Sequence, residues 1–301
     1  MVKSRQQAKN LEEVSFHFHG RPAALVECVP LPGLHARGTP TSWERLQILR
    51  FHIWLVITVG HHQHLVDFHR VRCQAGSVLH IGPGQIHRWD WSGHRQGYAL
   101  LLGPAALSDA SRRLPGTALP GLDVQEWPTL LELNRDDATR IASWCEQLAE
   151  LSARPDSPAT RAMAWHLAMV ALHDLRACDH RLGDEGALEG VSDEDLARLR
   201  RFKVLLERSF RVTRAARDYA RGMELSPRTL DRLCHAATGR SAKDLIDARV
   251  TLEAQRLLAH SDASLEDLAD ELGFSEATNF VKFFTRRTRQ TPGAFRRPFR
   301  G

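Results

Sequence analysis

Between residues 15 and 104, apolar residues come in short runs of β-branched, aromatic and aliphatic type. These runs are Ala23–Val29, Leu46–Val59, Leu65–Val71, Ser77–Gly82 and Gly97–Leu102. Pro and Gly separate them at Pro30, Pro32-Gly33, Gly60, Ala75-Gly76, Gly82-Pro83-Gly84 and Gly93. Such spacing predicts many short strands folded into a small barrel or sandwich. Within Ile48–Val59 the odd positions, from Leu49 to Val59, are all apolar, and the even positions (Ile48, Arg50, His52, Trp54, Val56, Thr58) are mixed. Side chains alternate across a strand, so the odd face is expected in a core and the even face toward a lumen or solvent.

The period becomes helical over 136–178. Ala138, Ile141, Cys145, Leu148 and Leu151 recur at steps of three and four, as do Met163, Leu167, Val170 and Ala171 after a break at Arg154-Pro155. The pattern predicts a helical hairpin that packs on the barrel or forms a dimer contact. Residues 179–195 are rich in Gly and acids and read as a linker.

From 196 to 301 two similar helical units follow. In the first, Thr213–Arg221 is expected as a supporting helix and Met223-Glu224-Leu225 as a turn, with Ser226-Pro227 opening a second helix that Gly239 ends. Leu230, Leu233 and Ala237 form that helix's inward stripe and leave Arg228, Thr229, Asp231, Arg232 and His235 outward. In the second, Ser264 caps a short apolar helix that stops at Gly273-Phe274, and Ser275 is expected to cap the next. There Phe280 and Phe284 point inward, and Thr278, Asn279 and Lys282 outward. A helix over Ala242–Ala259 connects the units. Helix, turn and a helix with a polar, basic open face is the layout of a helix-turn-helix. Arg and Lys suit guanine edges, Asn suits adenine, and Thr meets a thymine methyl or a phosphate. Ser241, Arg286, Arg287, Arg289, Arg296 and Arg297 are expected on phosphates.

Charge sharpens this picture. The 301 residues carry a net +5. Residues 196–301 hold 22 Lys and Arg against 13 Asp and Glu, so the remainder is net acidic. A basic C-terminal third behind an acidic remainder fits a DNA-binding domain carried by one that does not bind DNA. The five cysteines (Cys28, Cys73, Cys145, Cys178, Cys234) show neither zinc spacing nor a disulfide framework, so reduced thiols are expected. The N-terminus is polar, and the longest apolar stretch, Ile53–Val59, is too short to span a bilayer. The protein is expected in the cytoplasm, away from the membrane.

Leu225-Ser226-Pro227-Arg228-Thr229-Leu230, Thr238-Gly239-Arg240-Ser241, Arg249, Arg256-Leu257-Leu258, Gly273-Phe274-Ser275, Phe280, Phe284 and Thr291-Pro292 resemble the DNA-binding domain of the AraC/XylS family of bacterial transcription regulators. The resemblance covers roughly residues 196–300. It implies two helix-turn-helix units joined by one long helix, and an N-terminal domain that senses a signal or dimerises. Cys234 and Thr288 stand where that family usually has Phe and another aromatic, and Arg289 where Gly is common.

The segment Gly76–His87 is similar to the second conserved segment of cupin barrels, which in such regulators commonly hold a small effector. Cupins can also be metal enzymes. His62-Gln63-His64 has ligand-like spacing but follows Gly60 and is expected in a hairpin turn. Asp67 only loosely replaces the expected glutamate, and His87 is the best remaining ligand. Neither metal nor cofactor is expected, and the protein is read as a non-enzyme. Arg50, His52 and Trp54 share one strand face, and His80, His87 and Trp89 come from the cupin-like segment. Together they are the candidate effector-binding residues, suited to a small organic anion or an aromatic acid.

The chain is therefore expected to be an α+β two-domain protein. Residues 1–135 form a cupin-like β-barrel, 136–178 the hairpin, 179–195 the linker and 196–301 an all-α DNA-binding domain. The expected partners are double-stranded DNA, a small organic effector, a second copy of the chain and, for an activator, RNA polymerase. A metal-dependent cupin enzyme fused to a DNA-binding domain and a regulator controlled by a protein partner stay open at this stage.

Overall fold

The computed structural model describes residues 11–14, 24–91, 93–103, 105–106, 127–185 and 192–300. These fall into two compact units, divided between residues 185 and 192.

The first unit is built on nine strands: β1 (Leu11–Val14), β2 (Val26–Pro30), β3 (Leu46–Leu49), β4 (His52–Val66), β5 (His69–Gln74), β6 (Ser77–Ile81), β7 (Ile86–Trp89), β8 (Arg95–Leu102) and β9 (Leu130–Glu132). Short helices α1 (Leu31–His35) and α2 (Pro40–Glu44) lie between β2 and β3. The fifteen-residue β4 organises the sheet. Its first half pairs antiparallel with β6 and β8, and its second half with β5 and β7, so the sheet curls into a half-barrel.

Two expectations are corrected here. Leu46–Val59 is two strands, broken at Arg50-Phe51. Gly60 does not turn the chain back: β4 runs through it to Val66, with a register shift between Ile57 and Val59. At Gly60 φ is +80°, and a Cβ there would sit 1.9 Å from the His94 carbonyl oxygen, so glycine is required. His62 and His64 therefore lie in a strand. The hairpin turn comes later, at Asp67 and Phe68, both in the left-handed region (φ 46° and 69°), within the Leu65–Val71 run read as a strand. The Asp67 carboxylate steadies it by accepting from the Gln85 amide (2.8 Å) and the Ile86 N–H (3.2 Å).

The odd positions Leu49, Phe51, Ile53, Leu55 and Ile57 join one core with Leu31, Leu34, Leu79, Ile81 and Leu101, as the alternation requires, but Val59, past the register shift, is exposed instead. Of the even positions, Arg50 is exposed and Thr58 half-buried, but Ile48, His52, Trp54 and Val56 are buried. Trp54 and Val56 enter a second core formed with α3 (Arg135–Ala153) and α4 (Pro158–Glu185). The hairpin covers that sheet face, so β4 is buried on both faces from His52 to Ile57, while Val59, His61 and Gln63 are exposed.

Asn134 caps α3 by accepting from the Asp137 N–H, and Ile141, Cys145, Leu148 and Leu151 are its buried stripe, as expected. On α4 the buried stripe is shifted. Ala164, Trp165, Ala168, Met169, Leu172 and Leu175 face inward, while Met163 and Val170 are 46% and 47% exposed. Trp165 decides the rotation, because its ring fills the core and its indole N–H donates to the Ala106 carbonyl at 3.0 Å. The backbone of α4 also continues through 179–185, which the composition had given to the linker. No proline interrupts that stretch, and one interior glycine costs a helix only about 1 kcal/mol.

The second unit is helical: α5 (Asp193–Ser209), α6 (Ala216–Gly222), α7 (Pro227–Thr238), α8 (Ala242–His260), α9 (Leu265–Glu271), α10 (Ala277–Thr288) and α11 (Pro292–Arg296), ending in a 3-10 turn at Arg297–Phe299. Its core joins Phe202, Tyr219, Leu230, Leu233, Ile246, Val250, Leu258, Leu268, Phe280 and Phe284. Caps set the boundaries. Ser226, Ser241, Ser264 and Thr291 each accept from the N–H three residues on. The supporting helix α6 starts at Ala216 rather than Thr213, because the Thr213 hydroxyl accepts from the Ala215 N–H and donates to Asp218 (2.6 Å), holding the lead-in outside the helix. Ser275 does not cap α10; Glu276 occupies that position without a side-chain cap.

Candidate functional site

Two helix-turn-helix pairs, α6–α7 and α9–α10, pack on one rod, α8, whose 19 residues give it a length of about 28 Å. All five outward residues expected on α7 line one shallow depression of about 420 Å³: Arg228, Thr229, Asp231, Arg232 and His235. Their roles separate. Arg228, Arg232 and His235 are exposed and have no hydrogen bond or ion pair among the described residues. Thr229 is tied to the helix start, its hydroxyl 2.8 Å from Ser226 Oγ. Asp231 Oδ1 accepts from the Ala242 N–H at 3.0 Å, which fastens α7 to the first turn of α8.

On α10, Thr278, Asn279, Lys282 and Arg286 are exposed. The Asn279 amide donates to Ser275 Oγ at 3.2 Å. Arg287 is drawn back from the open face and donates to Asp244 Oδ1 on α8 at 3.3 Å. Asp244 in turn accepts from the Ser241 hydroxyl at 2.8 Å. The Ser241 bond and the Arg287 guanidinium hold the Asp244 carboxyl below its usual range. The first turn of α8 thus fastens both α7 and α10, one through Asp231 and one through Asp244. Arg289 ends α10 in the left-handed region (φ 62°), its N–H donating to the Thr285 carbonyl. Of the two further arginines expected on phosphate, Arg297 is exposed but Arg296 is buried and donates to the Ala263 carbonyl at 2.8 Å. Arg296 is a structural group.

Pattern reading missed the ion cluster around Glu253. Its carboxylate accepts from Arg211 (2.5 Å) and Arg249 (2.9 Å), and Arg249 also bonds Glu207 (2.7 Å). Arg249 at i,i+4 and Arg256 at i,i+3 from Glu253 are its local signals; Arg211 and Glu207 lie about forty residues from their partners.

On DNA, Arg232→Ala is expected to cost about 1–3 kcal/mol on the preferred sequence and to relax the preference at one base pair. Arg286→Ala should instead weaken all sequences alike and make the salt slope shallower by about one. Anisotropy titrations over single-base variants at several salt concentrations separate the two outcomes.

In the half-barrel the six candidate effector residues do not form one site. Arg50 is exposed and pairs with Glu13 at 2.5 Å. It lies in the break before β4, so it leaves the face of His52 and Trp54. His52, Trp54 and His80 pack together: His52 Nδ1 lies 3.2 Å from His80 Nε2, and Trp54 stacks on His80 with centroids 4.6 Å apart. Trp127 closes this group edge-on to Trp54. His87 and Trp89 belong to a second group with His64, whose Nε2 lies 3.1 Å from His87 Nδ1. Burial pushes His52 down to about 4 and His80 and His87 to about 3, so all three are neutral near pH 7. Among the described residues no group of three or more His, Cys, Asp or Glu could hold a metal ion. Asp67, the loose stand-in for a cupin glutamate, is engaged by Gln85 and Ile86 instead.

A cavity of about 640 Å³ opens beside the second group. Trp43, Trp89 and Trp91 form its aromatic wall, with Trp43 edge-on to both others at 5.3 Å and Trp89 stacked on Trp91 at 4.9 Å. Trp43 and Trp91 carried no signal as site residues, because α2 and the end of β7 meet only in the fold.

A family model described as a helix-turn-helix domain matches residues 219–298. The chain is 25% identical over 238 residues to the HTH-type transcriptional activator RhaS of Citrobacter koseri, covering 78% of this chain and 81% of that protein. A RhaS from Salmonella arizonae is 30% identical over 105 residues, or 35% of this chain and 37% of that protein. Among solved structures, a transcriptional regulator with an AraC-type DNA-binding domain from Chromobacterium violaceum is 20% identical with a TM-score of 0.33, over 36% of this chain and 96% of that one. These matched relatives are transcription regulators. No helix among the described residues is long and apolar enough to cross a membrane.

Proposed function

We propose that this chain is a DNA-binding transcription regulator of the AraC family, which reads its operator through α7 and α10 and is controlled by a small effector held in the half-barrel. The observation that carries the DNA-reading part is the set of exposed side chains on α7 and α10 (Arg228, Arg232, His235, Lys282, Arg286) that have no partner among the described residues. Polar groups left open on helices otherwise packed into a core are suited to base edges and phosphates. One rigid rod between the two pairs suits successive major grooves about 34 Å apart on one side of a duplex. Arg228, Arg232, His235, Thr278, Asn279 and Lys282 are assigned to bases and Arg286 to phosphate. Asp231 and Thr229 position α7, while Ser241, Arg287 and Arg289 hold helix ends and are assigned to phosphate as well.

The half-barrel is the sensing part in this reading. The exposed pair Met163 and Val170, two turns apart on one face of α4, supports a contact between two copies of the chain. The matched relatives being activators supports contact with RNA polymerase and activation of transcription.

A ligand acts only if it binds one arrangement of the molecule better than another. Effector and operator are therefore expected to change each other's affinity by the same factor, of order 5–150-fold. The check is to titrate DNA with and without saturating effector and to repeat the effector titration with and without DNA. Equal affinities throughout would overturn control by ligand.

A further inference from the structure

Resting on the reading that the half-barrel holds a small effector, we propose that the effector is an aromatic amino acid or a zwitterion of that size, bound at the open edge of β7. The register of β3 against β7 stops at His87, so among the described residues β7 has a free edge from Arg88 onward. The 640 Å³ cavity wraps that edge, which is why side chains from both faces of β7 line it. Its volume falls in the range of small-molecule sites, about 300–1,000 Å³.

Three features select the ligand. The tryptophan wall offers flat apolar surface for a ring. Arg70 and Arg88, both exposed, flank Leu65 from the two neighbouring strands, since each is its cross-strand partner. Two guanidiniums on either side of one residue suit a carboxylate. Glu44 and Asp90 line the same cavity and suit an ammonium group. A carboxylate alone would face two acids, and an amine alone would face two guanidiniums. A ligand with one charge of each sign matches both pairs.

The test is calorimetry on the full chain with four probes: L-phenylalanine, L-tryptophan, phenylacetate and 2-phenylethylamine. The expected result is that at least one amino acid binds ten or more times tighter than both singly charged analogues. Arg88→Gln and Glu44→Gln should each weaken that amino acid at least tenfold while leaving the thermal midpoint unchanged, since both side chains are exposed. No binding by either amino acid, or binding of phenylacetate or 2-phenylethylamine as tightly, overturns the proposal. An amino acid that binds as expected without altering operator affinity upholds the site and overturns control by ligand. A different compound that alters operator affinity while both amino acids fail does the reverse.

Discussion

Gly273→Ala is expected to be among the most damaging single substitutions in the helical unit, and Gly239→Ala is its internal control. Both glycines have left-handed backbones, with φ of +70° and +68°. The conformational cost of an alanine there is similar at both, about 1–2 kcal/mol. Arg289 shows that the cost is bearable, because it ends α10 with φ of 62° and a full side chain. The two sites differ in space. Nothing lies within 4 Å of a Cβ at Gly239, whereas a Cβ at Gly273 would sit 2.2 Å from the Arg211 carbonyl oxygen. That oxygen belongs to the backbone and cannot swing aside, so the turn between α9 and α10 must move, adding about 1–3 kcal/mol. Arg214 donates to the Gly273 carbonyl at 3.1 Å, and that bond moves with it. Urea unfolding of the full chain should show a loss of about 2–5 kcal/mol for Gly273→Ala and about 1–2 for Gly239→Ala. Equal losses would mean that the close approach does not constrain the turn.

Glu253→Gln should cost about 1.5–3 kcal/mol, the range for a hydrogen bond to a charged group, because Arg249 keeps Glu207 and Arg211 keeps Glu271. Glu253 is 8% exposed on α8 and gathers Arg211 and Arg249, with Arg256 also within 3.8 Å. Burial alone would raise its carboxyl, but Arg249, Arg256 and Arg211 together outweigh burial and hold it below the ordinary value. The folded-state value is thus depressed. Its stabilisation is complete above the unfolded carboxylate value of about 4.3 and is lost as pH falls through the lower folded value. Unfolding measured from pH 7 down to 3 should show the wild-type chain losing stability more steeply than Glu253→Gln below about pH 4.3. Parallel curves would show that the arginines do not depress the Glu253 carboxyl.

The local signals of the helical unit were legible because each is carried by neighbours in the chain. Ser226-Pro227, Gly239, Ser264 and Gly273 mark helix ends through bonds three or four residues long, and the structure places them where those bonds require. The inward stripe of α7 and α10 follows from a 3.6-residue period that no distant contact overrides. Ser275 misled because a serine two positions before the helix looks like a cap, and the chain begins α10 one residue later.

The half-barrel shows the opposite balance. Alternation along β4 determined which residues face the first core, but nothing local said that the even face would be covered by α3 and α4. Gly60 carried the same signal as a hairpin glycine; only the close approach of the His94 carbonyl across from it explains a glycine inside β4. Arg50, His52, Trp54, His80, His87 and Trp89 share residue types suited to one pocket, yet strand register divides them into an exposed ion pair and two separate imidazole groups. By itself, then, the sequence determined the helix-turn-helix layout and which side chains of α7 and α10 point outward, because the bonds that set them span a few residues. Only the tertiary structure decided which outward side chains have no partner among the described residues and where the barrel's cavity lies, because both depend on partners tens of residues away whose distance no periodicity encodes.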